Sequence, residues 1–314
     1  MIIGFIFSVL VSVLFAVYAI PRKFSTQNAI LYTMWMGVAY FVVTAVATAT
    51  LWGGRFERVE NLASPWHLLT ALRGGVWVLG MAMYNTAIDK IGLTRFNQWK
   101  NTQGPVGSLL ILFVVSKNVT MAKTLFLLLG MTVMFLSAAL FQIRLESDKN
   151  KTARCSGIFC ALGAGVCFGV AALLNSIVTN LRITGEKFVL SQLLYHSASL
   201  AIISALTYTV IGGKFGGASS VKERFFEVFM VDKKTYLPFI AGGMYALAAF
   251  LTIYSYRLIP NNAVPWSITQ FNVFWTIIIG IFIFKEIDYK KHLPRLVLGA
   301  VTAIAACVLL FFAM

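Results

Sequence analysis

The side chains best suited to bind a small solute fall in two short segments that resemble each other. Residues 97–105 read Asn-Gln-Trp-Lys-Asn-Thr-Gln-Gly-Pro, and residues 263–272 read Ala-Val-Pro-Trp-Ser-Ile-Thr-Gln-Phe-Asn. In both segments a Trp is followed by a Thr three residues later and by a Gln four residues later. Amides donate and accept hydrogen bonds, and an indole ring presents a flat apolar face. Both segments are therefore suited to a polar ring such as that of a sugar.

We predict that these segments and other polar or aromatic groups line one binding cavity. The predicted binding residues are Arg73, Trp77, Asn97, Gln98, Trp99, Lys100, Asn101, Gln103, Trp266, Thr269, Gln270 and Asn272. Alternatives remain open for any one of them. An Asn or Gln can instead hydrogen-bond a neighbouring helix as structural support, and a Trp can instead be a packing residue or an anchor at the membrane surface.

Three titratable side chains are unusual because they fall inside apolar segments. A charge such as Arg73 or Lys100 is unfavourable there unless it is paired, hydrated or able to snorkel to the surface. Snorkelling, pairing with a buried polar group and contact with an anionic substrate are all open for these two residues. His196 is the candidate for a proton-coupling residue, because histidine changes charge near neutral pH. A hydrogen-bonded structural histidine is the alternative.

The composition places these residues in a membrane protein. Of the 314 residues, 59% are hydrophobic and 12% are charged. The apolar runs reach the roughly 20 residues that a membrane-spanning helix needs, which is longer than a barrel strand. The expected fold is an all-α integral membrane protein, with the lipid bilayer and a small-molecule substrate as partners and a homodimer as a further candidate assembly.

Ten transmembrane helices are predicted. The predicted spans are residues 1–20, 29–52, 65–88, 95–115, 121–142, 155–178, 189–211, 236–258, 263–284 and 293–314. Residues 89–92 are expected to form a tight turn. The loop 212–235 is expected to hold either a short surface helix or plain loop structure. No basic residue precedes the first span, which therefore reads as a retained helix rather than a signal peptide.

The net charge of +15 does not indicate nucleic-acid binding, because Lys and Arg lie mainly in short loops between apolar runs. They are concentrated in the loops after the odd-numbered spans. By the positive-inside rule these loops face the cytoplasm of a cell (inner) membrane, and both termini are extracytoplasmic.

The two halves of the chain match each other in span order. The aligned pairs are Trp99 with Trp266, Thr102 with Thr269, Gln103 with Gln270, Gly74 with Gly242, Ile91 with Ile259, Gly4 with Gly157 and Phe15 with Phe168. Residues 1–145 and 155–314 each hold five predicted spans, joined by a cytoplasmic linker at 146–154. Because each half has an odd number of spans, the second half enters the membrane from the opposite face and is inverted relative to the first. This inverted repeat is typical of secondary transporters, whose substrate site lies at the repeat interface near the midplane.

The sequence does not favour an enzyme. The acidic residues fall near span ends or in loops, and there is no nucleophile-and-base pattern and no phosphate-binding glycine loop with a lysine. The four cysteines lack metal-ligand spacing, and we expect no metal or cofactor. We predict a permease that imports a small polar metabolite, preferably a sugar, by alternating access. An exporter of amphipathic amines, drugs or anionic metabolites, and a structural membrane scaffold, are the alternatives.

Span nine and the residues after it carry a family resemblance. The matching pattern is Ser267-Ile268-Thr269-Gln270-Phe271-Asn272-Val273, Gly280-Ile281-Phe282, Lys285-Glu286 and Leu298-Gly299-Ala300. This pattern resembles the drug/metabolite transporter superfamily, in the branch of glucose/ribose porters and L-rhamnose permeases. The resemblance implies two inverted five-helix halves, with spans five and ten outside a central cavity. It also implies that Gln270 lines the cavity and that Glu286 is a structural residue. The run Gln98-Trp99-Lys100-Asn101 departs from the family's Pro-Ile-Ser-Thr type run.

Overall fold

The structure is a computed structural model that describes residues 1–51, 66–100, 103–115, 120–140, 151–182, 186–215, 217–285 and 289–313. Every regular element in these ranges is helical. The first half contains α1 (Ile2–Val17), α2 (Ile20–Phe24), α3 (Ala29–Leu51), α4 (Trp66–Ile91), α5 (Leu93–Lys100), α6 (Gln103–Val114) and α7 (Met121–Leu140). The second half contains α8 (Lys151–Arg182), α9 (Glu186–Ile211), α10 (Val221–Glu227), α11 (Tyr236–Leu258), α12 (Ala263–Thr269), α13 (Asn272–Phe282) and α14 (Tyr289–Phe312).

Seven helical segments in the described ranges are long and apolar enough to cross a membrane. They are Ile2–Phe24, Ala29–Thr50, Cys155–Thr179, Leu190–Ile211, Lys233–Leu258, Ala263–Phe282 and Lys290–Phe312. Met121–Ser137 is a shorter apolar helix. The long helix α4 is not among the seven, although it spans 26 residues. It packs against α3, α5, α8 and α9 and buries His67, Thr70, Arg73 and Asn85, so its polar groups face protein.

One predicted boundary is wrong. Residues 89–91, expected in a tight turn, are the last residues of α4. The helix ends only at Gly92, whose φ of 79° lies in the left-handed region that glycine adopts readily at a helix C-terminus. The helix α8 begins at Lys151, four residues before the predicted span, whereas its candidate membrane span begins at Cys155 as predicted.

The loop between α9 and α11 contains a short helix, α10, as one of the two alternatives expects, and its place on the membrane surface stays a prediction. Ser220 caps α10 by accepting a hydrogen bond from the Glu223 amide at 3.1 Å. Arg224 donates to the carbonyl oxygens of Thr209 at 3.0 Å and Ala218 at 2.6 Å. Arg224 therefore ties α10 to the end of α9, where free carbonyl groups favour a cation.

The main core lies where the two halves of the chain meet. The strongest helix contacts pair α4 with α8, α3 with α9, α7 with α14, α1 with α11, α11 with α3, α6 with α8 and α4 with α9. Large aromatic side chains fill the centre of this arrangement, among them Trp77, Tyr84, Phe168 and Tyr245. Small residues allow the helices to approach closely, as is usual in membrane bundles.

Gly242 and Gly243 provide a direct test of this packing. A Cβ atom on Gly242 would lie 2.3 Å from the backbone oxygen of Met36 on α3, whereas nothing lies within 4 Å of a Cβ on Gly243. We expect Gly242→Ala to destabilise the protein by about 1–3 kcal/mol through overpacking. Gly243→Ala should be neutral or stabilising by up to about 1 kcal/mol, because Ala favours helix. Thermal unfolding in detergent measures both, and equal shifts would contradict the α11–α3 contact.

Candidate functional site

The two polar segments are in direct contact through Gln103, Trp266 and Gln270. Gln103, the first residue of α6, donates from Nε2 to Oε1 of Gln270 at 2.6 Å. Gln270 Nε2 donates in turn to the backbone oxygen of Trp266 at 2.9 Å. Trp266 Nε1 donates to the backbone oxygen of Gln103 at 3.2 Å. These three bonds form a closed polar junction between α6 and α12, which we call the glutamine junction.

Local sequence explains how the glutamine junction forms. The helical chain of span nine is interrupted between α12 and α13, where Gln270 caps α12. Two glycines on α6 let the α12 side chains approach. A Cβ on Gly104 would lie 2.8 Å from Gln270 Cγ, and one on Gly107 would lie 2.2 Å from Trp266 Nε1. Ser108 and Ser267 add a hydroxyl contact of 2.6 Å.

A cavity of about 20 Å³ lies beside the glutamine junction, between α1, α4, α8, α11 and α12. Its polar and aromatic lining includes Arg73, Trp77, Asn175, Tyr245, Tyr256 and Trp266. A water molecule needs about 10–15 Å³ of such space, so the cavity accommodates about one water and no sugar ring.

Arg73 is buried at one end of this cavity, with 6% of its surface exposed. Its Nη1 donates to Asn175 Oδ1 on α8 at 2.8 Å. The same oxygen accepts a second bond from Gln192 Nε2 on α9 at 2.9 Å. Arg73 is thus paired with a buried polar group, and it does not snorkel to the surface.

Lys100 is also buried, with 3% of its surface exposed. Its ammonium group lies over three aromatic rings, at 5.6 Å from the centre of Tyr84, 6.0 Å from Phe96 and 5.9 Å from Phe168. These distances allow cation–π attraction. Among the described residues, no carboxylate forms an ion pair with Lys100 or Arg73. The ion pair found in this part of the chain joins Arg22 to Asp89. We call the three rings around Lys100 the aromatic cage.

His196 is fully buried on α9, where it contacts Trp77. Its ring centre lies 6.1 Å from that of Trp77 and 5.7 Å from that of Tyr40. Neither ring nitrogen has a hydrogen-bond partner among the described residues. The described residues therefore give His196 none of the hydrogen bonds that a structural histidine would make.

Comparison with known proteins fits this architecture. The family model described as "Sugar transport protein" matches residues 62–313. The chain belongs to this sugar transport family. Family membership makes it a membrane transport protein for sugars rather than an enzyme. One solved structure, described only as "Crystal structure of protein", is similar with a TM-score of 0.66 and 13% sequence identity, covering 98% of this chain and 94% of the other. At that identity the likeness shows the fold alone. No curated protein matches.

The structure of this sugar transport protein brings some of the predicted binding residues together and separates others. Arg73, Trp77 and Trp266 line the cavity, and Gln103 and Gln270 form the glutamine junction. Thr269 and Asn272 bond to backbone oxygens around the α12–α13 interruption, at 2.6 Å and 2.8 Å. Lys100 lies in the aromatic cage, and Trp99 packs against the main core. Asn101, Glu286 and the side chains of Asn97 and Gln98 lie outside the described residues.

Sequence reasoning missed several residues of this site, among them Phe15, Asn175, Gln192, Tyr245 and Tyr256. The alignment of the two halves held a signal for two of them. Tyr245 follows Gly242 as Trp77 follows Gly74, and Phe15 had already been aligned with Phe168. Asn175 and Gln192 carry no such signal, because a single polar residue in a span is also a common helix–helix contact.

Proposed function

We propose that this sugar transport protein is a permease that imports a small polar metabolite, a sugar or sugar-like compound, by alternating access. One observation carries the proposal. Trp77 and Tyr245, which occupy matching positions of the two halves, line the same cavity and pack with ring centres 5.2 Å apart. Trp77 is near the midpoint of α4. A site shared by matching residues near mid-membrane is typical of secondary transporters with inverted repeats.

Paired contacts between the halves support two inverted five-helix repeats. The packing of α4 on α8 has its counterpart in α11 on α1, and α3 on α11 has its counterpart in α9 on α4. Single residues follow the same rule. A Cβ on Gly4 would lie 2.9 Å from Ile259 Cγ1, and a Cβ on Gly157 would lie 2.5 Å from Ile91 Cγ2. Both glycines and both isoleucines are pairs in the sequence alignment of the halves.

On this basis we assign ten spans: α1 with α2, α3, α4, α5 with α6, α7, α8, α9, α11, α12 with α13, and α14. Residues 1–145 form the first repeat and residues 155–314 the second. The concentration of Lys and Arg in the loops after odd-numbered spans supports a cytoplasmic position for these loops and for the linker. Both termini are then extracytoplasmic, in a cell inner membrane.

The glutamine junction supports a physical route for opening the site. Separating α6 from α12 requires breaking the Gln103–Gln270 bond and the Trp266–Gln103 bond. Buried amides without partners are unfavourable. The hydroxyl groups of a sugar can replace these bonds, while the faces of Trp266 and Trp77 cover its apolar C–H surface. Substrate binding thus stabilises a form that is unfavourable when empty.

Gln270→Ala tests the junction as a substrate site. We expect uptake of the transported sugar to fall about tenfold or more, because one hydrogen-bonding partner of the substrate is lost and Gln103 is left without its acceptor. Uptake by proteoliposomes with the purified variant measures this. Asn261→Ala, a buried amide at the loop before α12, is the matched control and should retain uptake. Unchanged uptake in a folded Gln270→Ala protein would contradict the assignment.

A further inference from the structure

Two buried cations lie on opposite sides of an aromatic layer. Arg73 and Tyr84 are both on α4, and their separation of 11 residues corresponds to about 16 Å along the helix axis. The Lys100 ammonium lies over Tyr84, so it is displaced from Arg73 by a similar distance. Trp77 and Phe168 lie between the two cations, with ring centres 4.3 Å apart. The layer therefore separates an arginine side from a lysine side.

Neither cation is neutralised by a described carboxylate. Arg73 bonds to the neutral amide of Asn175, and Lys100 contacts the π faces of the aromatic cage. Such groups attract a cation without cancelling its charge. An ionised side chain within a membrane is unfavourable and is commonly a substrate or ion site. A neutral sugar does not require two such charges, because the glutamines and indoles already offer hydrogen bonds and apolar faces.

The arginine side also presents hydrogen-bond donors to the cavity. A guanidinium group only donates, so Asn175 must present its oxygen to Arg73, and that oxygen also accepts from Gln192. Asn175 also makes a side-chain hydrogen bond with Tyr256. The Trp77 indole N–H, which belongs to a cavity-lining residue, has no acceptor among the described residues. An anion is the ligand that accepts from such a set, and a guanidinium fork matches a carboxylate or phosphate.

We propose that the transported compound is an anionic sugar, a sugar acid or sugar phosphate, and that Arg73 and Lys100 hold its charged group in turn on the two sides of the aromatic layer. This inference rests on the proposed transport function and specifies its substrate class. The cavity lies on the arginine side. Opening the aromatic layer lets the anionic group exchange Arg73 for Lys100, while the sugar ring slides along Trp77 and Phe168.

The test compares a neutral sugar with charged analogues of the same ring. Purified protein is titrated with D-glucose, D-glucuronate and D-glucose 6-phosphate, with thermal unfolding as the readout, because a ligand of the folded state raises the apparent melting temperature. The same three probes are then used as competitors in proteoliposome uptake. We expect at least one anionic probe to bind more tightly than glucose. Arg73→Gln and Lys100→Gln should each weaken its binding about tenfold to hundredfold.

Two further variants separate a charge effect from a folding effect. Arg73→Lys keeps the charge and should retain part of the affinity that Arg73→Gln loses. Arg257→Gln removes an exposed cation that lies 5.7 Å from the Tyr254 ring on α11, outside the cavity. This control should bind the anionic probe as the unmodified protein does.

The possible failures are distinguishable. Binding and uptake of glucose without any response to either anion would overturn the inference and leave the transport function in place. Equal affinity for neutral and anionic probes, unchanged in Arg73→Gln and Lys100→Gln, would overturn it as well. A folded, reconstituted protein that transports none of the three probes and no other sugar would refute the transport function itself, and this inference with it.

Discussion

Trp266→Ala is expected to abolish sugar uptake and to destabilise the protein by about 3–5 kcal/mol, the usual range for removing a buried Trp side chain. The reason is that one indole ring has three roles. Trp266 lines the cavity, donates from Nε1 to the Gln103 oxygen, and fills the space above Gly107, where a Cβ would lie 2.2 Å from Nε1. Thermal unfolding in detergent and proteoliposome uptake measure the two effects separately.

Two phenylalanine variants divide this effect into its parts. Trp266→Phe keeps an aromatic face and loses the N–H bond, so we expect a loss of about 1 kcal/mol and partial uptake. Trp275→Phe also removes one indole bond, the 3.0 Å contact with the Ser12 hydroxyl, but its ring is not part of the cavity lining. This control should retain full uptake. A stable Trp266→Ala protein with normal uptake would show that the cavity is not the substrate site.

Hydrophobicity alone predicted where most helices run. The span at 236–258 agrees with α11 at both ends, because Asp232 and Thr235 form a polar N-terminal boundary and Ile259 leaves the helical conformation. The end of α4 was misplaced by three residues, since a charged pair, Asp89-Lys90, looks like loop although the helix continues to Gly92. In a helix buried by four neighbours, charge is a poor indicator of helix ends.

The repeated Gln positions, visible as a pattern in the sequence, predicted a contact between the two halves, whereas the two tryptophans lie apart, with Trp266 at the cavity and Trp99 against the main core. Gln103 and Gln270 are in direct contact, as two matching segments at one interface would be. The partner of each buried cation was not predictable from the sequence. The Arg73–Asn175 bond joins residues 102 positions apart, and the aromatic cage draws its rings from α4, α5 and α8. Such contacts depend on helix rotation and register, which apolar spans of uniform composition do not specify.

We propose that His196 couples sugar uptake to protons, and on this proposal His196→Leu should remove proton-driven accumulation while leaving the protein at least as stable. A buried imidazole with no bonded nitrogen among the described residues contributes little to stability, so an apolar side chain of similar size is tolerated or favoured. A structural histidine would show the opposite, a clear loss of stability. The His196 ring lies beside Trp77 of α4 and Tyr40 of α3.

The decisive measurement separates coupling from transport. In proteoliposomes with an imposed pH gradient, His196→Leu should fail to accumulate substrate, yet it should still exchange labelled for unlabelled substrate when no gradient is present. His67→Leu is the matched control, because His67 is buried on α4 and stacks on Tyr195 with ring centres 4.2 Å apart. It should retain accumulation. If His196→Leu accumulates substrate normally, His196 is not the coupling residue, and either transport is passive or another group carries the proton.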